Sequence, residues 1–106
     1  MKKITLSVGD RLILPEILPE TGRKIEIILC KDILSKTEFT ASEISEYKLR
    51  DQGSGRIDWD VKAARDKEIE ITEEEAGLLK ECSERVDKEG KVTRYNIDLL
   101  QKIDKI

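Results

Sequence analysis

The chain has 106 residues, 38% of them hydrophobic and 41% charged, with a net charge of −3. That length suits a single domain, residues 1–106, around one modest core, and the apolar runs are too short and too interrupted for the roughly 18 residues of a membrane span. The absence of histidine excludes Ser-His-Asp, Cys-His and His-metal chemistries, and the negative charge gives no overall attraction to a phosphate backbone.

The basic opening Met1-Lys2-Lys3 meets Asp10 and Arg11 before a signal-type apolar block develops, so it reads as folded protein. Cys30 and Cys82 stand too far apart for a Cys-x-x-Cys redox pair or a zinc ligand set. Each falls in an apolar helical pattern, where a free thiol behaves as a small hydrophobe. Without a secretory signal, a reducing cytoplasm is the expected compartment.

In chain order, Val8, Leu12, Ile13, Ile17 and Leu18 recur near helical spacing and predict a helix over 7–18, with Pro15 costing a backbone hydrogen bond or a kink. The rival is a hairpin, because Ile4, Leu6 and Val8 alternate before Gly9-Asp10. Thr21 can cap a second helix running to about Ser35 through Ile25, Ile28, Leu29 and Ile33. Ile27, Cys30 and Leu34 widen its apolar arc beyond a stripe, which predicts either a central helix or a face for a partner. Thr40-Ala41-Ser42-Glu43 is a capping box and predicts a short third helix.

The period then changes to alternation, with Tyr47 and Leu49 before Asp51-Gln52-Gly53-Ser54-Gly55 and Ile57, Trp59 and Val61 after it, predicting a β-hairpin. Glu68-Ile69-Glu70-Ile71 alternates again and predicts a third strand of a small antiparallel sheet. Thr72-Glu73-Glu74-Glu75 is a second capping box, followed by Ala76, Leu79, Cys82 and Val86 at helical spacing and by Gly90 as a left-handed stop. Thr93 can cap a last helix carrying Ile97, Leu99, Leu100 and Ile103, so the chain should close on an αα-hairpin. The expected fold is α+β and mainly helical, with three N-terminal helices, a small sheet anchored near Trp59, and that hairpin of helices; helices followed by a β-hairpin is also the order of a winged helix.

Ile17-Leu18-Pro19-Glu20-Thr21-Gly22, Ile57-Asp58-Trp59-Asp60, Glu68 to Glu75 and Lys91-Val92-Thr93 together resemble a family of short uncharacterised phage and prophage proteins. The resemblance spreads over most of the chain through motifs of structural character. It implies a phage-related origin in a bacterial host, and it transfers no activity and no site residues.

Asp58 and Asp60 flank Trp59 and could hold a hard cation, but a metal needs several converging oxygens; the simpler reading has Trp59 in the core, both acids in water and Asp60 capping the next turn. Glu73-Glu74-Glu75 falls in the first turn of a helix, where acids complement the free amides, and consecutive helical residues fan apart. Gly53-Ser54-Gly55 lacks the Lys-Ser/Thr of a phosphate-binding loop, and Ser54 has no His to activate it. No catalytic, cofactor or metal site is expected. For a winged-helix reader of nucleic acid, Lys48, Arg50 and Arg56 are the candidate contacts, yet 40–60 carries three bases against five acids, a local charge of −2. The leading expectation is therefore a non-enzymatic accessory or adaptor protein acting through protein–protein interaction or self-association, with Ile27, Cys30 and Leu34 as the candidate partner face. A winged-helix-like nucleic-acid-binding regulator is the alternative.

Overall fold

Ile4 and Leu6 alternate with Lys3 and Thr5, and this period of two makes the first element a strand with one apolar face. In the computed structural model, which describes residues 1–53 and 55–106, that strand is β1 (Lys2–Leu6). It is followed by α1 (Val8–Ile17), α2 (Lys24–Thr37), α3 (Ala41–Glu46), β2 (Arg50–Asp51), β3 (Ile57–Asp58), β4 (Lys67–Ile71), α4 (Glu73–Lys88) and α5 (Ile97–Asp104). The fold is α+β and mainly helical.

Gly9-Asp10 is no hairpin turn. Ser7 and Asp10 form a capping box in which the Ser7 hydroxyl accepts from the Asp10 amide at 3.1 Å and the Asp10 carboxylate accepts from the Ser7 amide at 3.0 Å. The helix so opened runs through Pro15. β1 instead pairs antiparallel with β4, Ile4 opposite Ile69. Ile4, Leu6, Ile69 and Ile71 are buried on the inner face of this ribbon, while Lys3 and Glu68 pair at 3.3 Å on the outer face. The third strand expected to extend the hairpin thus belongs to a different sheet. β2 and β3 form their own two-stranded pair with Arg50 opposite Asp58.

α2 starts at Lys24, with Arg23 as its N-cap, so Thr21 lies ahead of it. The Glu26 carboxylate, in the first turn, accepts from the Arg23 amide at 3.4 Å. The boxes at Thr40 and Thr72 open α3 and α4 as their spacing predicts. Gly90, with φ of 66°, follows the C-terminus of α4, and the Lys91 amide closes on the Val86 carbonyl at 2.9 Å. α5 begins at Ile97, after a turn of its own at 93–96.

One core joins the layers: Leu14 and Ile17 of α1, Cys30 and Ile33 of α2, Leu79 and Cys82 of α4, and Leu99 and Ile103 of α5 pack on Ile4, Leu6, Ile69 and Ile71. Each fully buried Leu or Ile contributes about 1.5–3 kcal/mol. Trp59 is absent from this core: it is half-buried, and the residue of that segment sealed inside is Tyr47, the C-cap of α3. A hairpin of two-residue strands offers no sheet face under which an indole could be buried.

Candidate functional site

The titratable groups inside the protein serve its architecture. Arg11, 3% exposed, projects from α1 and donates through Nε to the Thr37 carbonyl at 3.0 Å and through Nη2 to the Glu38 carbonyl at 2.7 Å. Its fork also holds Glu43 at 2.6 and 3.0 Å, and its guanidinium lies 4.0 Å above the Phe39 ring. Glu43 is at the same time the capping-box carboxylate of α3. The Arg11 hydrogen bond, with smaller help from the Thr40 amide, lowers its pKa to about 2 against the opposing effect of burial.

Two further boxes repeat this arrangement. Asp10 closes the box of α1 and receives Lys102 from α5, and Glu75 closes the box of α4 and receives Lys36 from α2 at 2.6 Å. Burial pushes the Glu75 carboxyl up, but Lys36 and the Thr72 amide together outweigh it and hold it below the usual carboxylate range. Each of these N-terminal carboxylates therefore does two jobs, capping its own helix and pairing with a cation from a distant one. Both thiols, Cys30 and Cys82, are buried, and burial raises their pKa values, which disfavours the nucleophilic thiolate. Among the described residues no group of three or more His, Cys, Asp or Glu side chains converges on a metal position.

The surface is a different matter. A groove of about 760 Å³ is lined by Gly9, Leu12, Ile13 and Glu16 of α1, Gly55, Arg56, Ile57 and Trp59 of the hairpin, and Tyr95. A second hollow of about 320 Å³ shares Ile13, Glu16 and Tyr95 and continues toward Val86 and Lys91. Volumes of this order suit a small ligand or the anchor side chains of a partner. Local structure fixes both aromatics. The Asp60 amide donates to the Tyr47 carbonyl at 2.8 Å and pins the chain immediately after Trp59. A Cβ at Gly9 would stand 3.9 Å from Cζ2 of the indole, so the ring lies against the first turn of α1. Tyr95 rides on a turn closed from both sides, the Thr93 amide donating to Asn96 Oδ1 at 2.8 Å and the Asn96 amide donating to Thr93 Oγ1 at 3.1 Å. That turn leaves Tyr95 79% exposed.

The candidate partner face on α2 is rearranged. Cys30 is 4% exposed and lies in the core, while Ile27 and Leu34 are half-buried beside it. The exposed apolar residues of this helix are Ile25 and Ile28, which the sequence pattern put on the core stripe. The arc faces inward one step further round the helix than the pattern suggested, because Ile33 and Cys30 are the residues that meet α4 and the ribbon. Lys48, Arg50 and Arg56 are all exposed, and Arg56 Nε pairs with Asp58 at 3.1 Å. Asp58 is thereby engaged, and Asp60 caps the following turn by accepting from the Lys62 amide at 3.0 Å. Ser54, considered above as a nucleophile, lies outside the described residues.

Sequence reasoning missed the groove. Alternation predicts Trp59 in the core, and Tyr95 belongs to no apolar pattern; the available signal is that a chain with only four aromatic residues (one Trp, two Tyr and one Phe) has one of them in a polar turn between two helices. Compared with known proteins, the chain matches no family model, no curated protein and no solved structure.

Proposed function

We propose that the chain is a non-enzymatic accessory or adaptor protein of phage type that works in the cytoplasm of a bacterial host by binding another protein, with the Trp59–Tyr95 groove as the partner's seat. One observation carries this reading: the only Trp and one of the two Tyr residues flank a single surface groove with Ile57 and Arg56. Trp, Tyr and Arg are the residues that dominate binding energy at protein interfaces. Rigid aromatic rings supply contact area at little entropic cost. The apolar floor of Leu12, Ile13 and Ile57 suits the apolar anchor of a partner segment, and Glu16 and Arg56 at the rim suit its polar flanks.

The nucleic-acid reading draws less support from the same surface. The span 40–60 carries three bases against five acids, Glu43 and Glu46 occupy the six-residue α3, and groove-reading helices need donors toward phosphates and base edges. Affinity capture from host cells with the wild-type chain and with Trp59→Ser/Tyr95→Ser decides between the readings. We expect one protein recovered in stoichiometric amount by the wild type and lost with the double variant. Recovery of nucleic acid alone, or equal recovery of the protein by both chains, would overturn the proposal.

A further inference from the structure

The outward face of α2 exposes two isoleucines among charged residues: Lys24, Ile25, Lys31 and Asp32 lie three or four positions either side of Ile28, and Ser35 completes the exposed face. Ile25 and Ile28 are 59% and 53% exposed. Lys24 and Asp32 stand one helical turn before and one after Ile28, so the three form a single ridge of the kind that aligns with its counterpart when two helices pack. Neither charge enters an ion pair among the described residues.

We infer that this face pairs with the same face of a second copy of the chain, the two α2 helices running antiparallel about a two-fold axis at Ile28. In that arrangement Ile28 meets its own symmetry mate. Lys24 of each copy comes level with Asp32 of the other, giving two identical ion pairs, and Ile25 is covered by the aliphatic stem of Lys31. The sequence is self-complementary only in this sense: a parallel pairing sets Lys24 against Lys24 and Asp32 against Asp32. A two-fold interface of this kind uses one patch twice and closes on itself. The 14 residues of α2 span about 21 Å, and a face of that length buries less than the roughly 1,200–2,000 Å² of stable complexes. The dimer is therefore weak and in rapid exchange.

This surface shares no residue with the Trp59–Tyr95 groove, so pairing through α2 leaves the groove of each copy uncovered. The inference stands apart from the groove reading, and each can fail alone.

Sedimentation of the full chain over a range of concentrations at low salt tests it with four proteins: wild type, Lys24→Asp, Asp32→Lys, and the double exchange. All changes are on the exposed face, and thermal melts confirm that each variant is folded. The wild type should dimerise reversibly, and each single reversal should raise the dimerisation midpoint by about tenfold or more. Both the double exchange and an equimolar mixture of the two single variants should return it to the wild-type value. A wild type that stays monomeric to about 1 mM, single variants that dimerise like the wild type, or a double exchange that fails to restore pairing would each overturn the two-fold arrangement.

Discussion

At the scale of single residues, Glu43 sets a pH dependence whose sign is fixed. Its folded pKa of about 2 lies below the ordinary 4.5, so the ionised form is favoured by folding. That stabilisation is complete above the unfolded value and is lost as the pH falls from about 4.5 toward 2. A shift of this size is worth up to roughly 3 kcal/mol. Urea unfolding of wild type and Glu43→Gln should therefore differ most at neutral pH and converge at the acid end; Glu75, also held low, adds to the acid lability of both. Arg11 is the other half of the pair, and Arg11→Met strands the Glu43 charge and removes the donors to two buried-side carbonyls. Such a loss typically costs about 3–5 kcal/mol, which chemical denaturation would register as a large fall in midpoint. This staple was not legible in the sequence. Arg11 reads as a polar residue in an amphipathic helix, and its acceptors lie 26 to 32 positions away.

At the scale of elements, two glycines with open space around them should respond in opposite directions. Gly77 lies inside α4, on its exposed side, and Gly90 has φ of 66°, with nothing within 4 Å of a new Cβ at either. Gly77→Ala should stabilise by about 0.5–1 kcal/mol through helix propensity. Gly90→Ala should destabilise by about 1 kcal/mol, the cost of a left-handed residue with a side chain. Thermal melts resolve both. Local signals of this type were the legible part of the fold: the boxes at Thr40 and Thr72 and the stop at Gly90 mark α3 and α4 because capping chemistry acts within three or four residues. Strand pairing was illegible for the converse reason. β1 and β4 alternate plainly, but nothing in either run of residues says that Ile4 will face Ile69, so β4 reads as the next strand of the nearest hairpin.

At the scale of the whole molecule, the candidate site is assembled from α1, the β2–β3 hairpin and the turn before α5. No single segment announces it. Alternation placed Trp59 inside, whereas the two-residue strands leave it half-buried against Gly9, and Tyr95 becomes visible only once the Thr93–Asn96 turn is seen to hold it outward. The interior, by contrast, follows from apolar spacing and from three helix-opening carboxylates that each recruit a remote cation. Among the described residues the buried charges Asp10, Arg11 and Glu75 all pair within the fold, while two of the four aromatic residues line one surface groove, and the proposed binding role rests on that contrast. The most direct measurement is photo-crosslinking in host cells from a reactive side chain placed at Tyr95, with the same group at Glu68 on the outer face of the ribbon as the control. A single protein crosslinked from position 95 and lost when Trp59→Ser is added is the expected result. Equal crosslinking from position 68, or indifference to Trp59→Ser, would contradict the groove as the partner's seat.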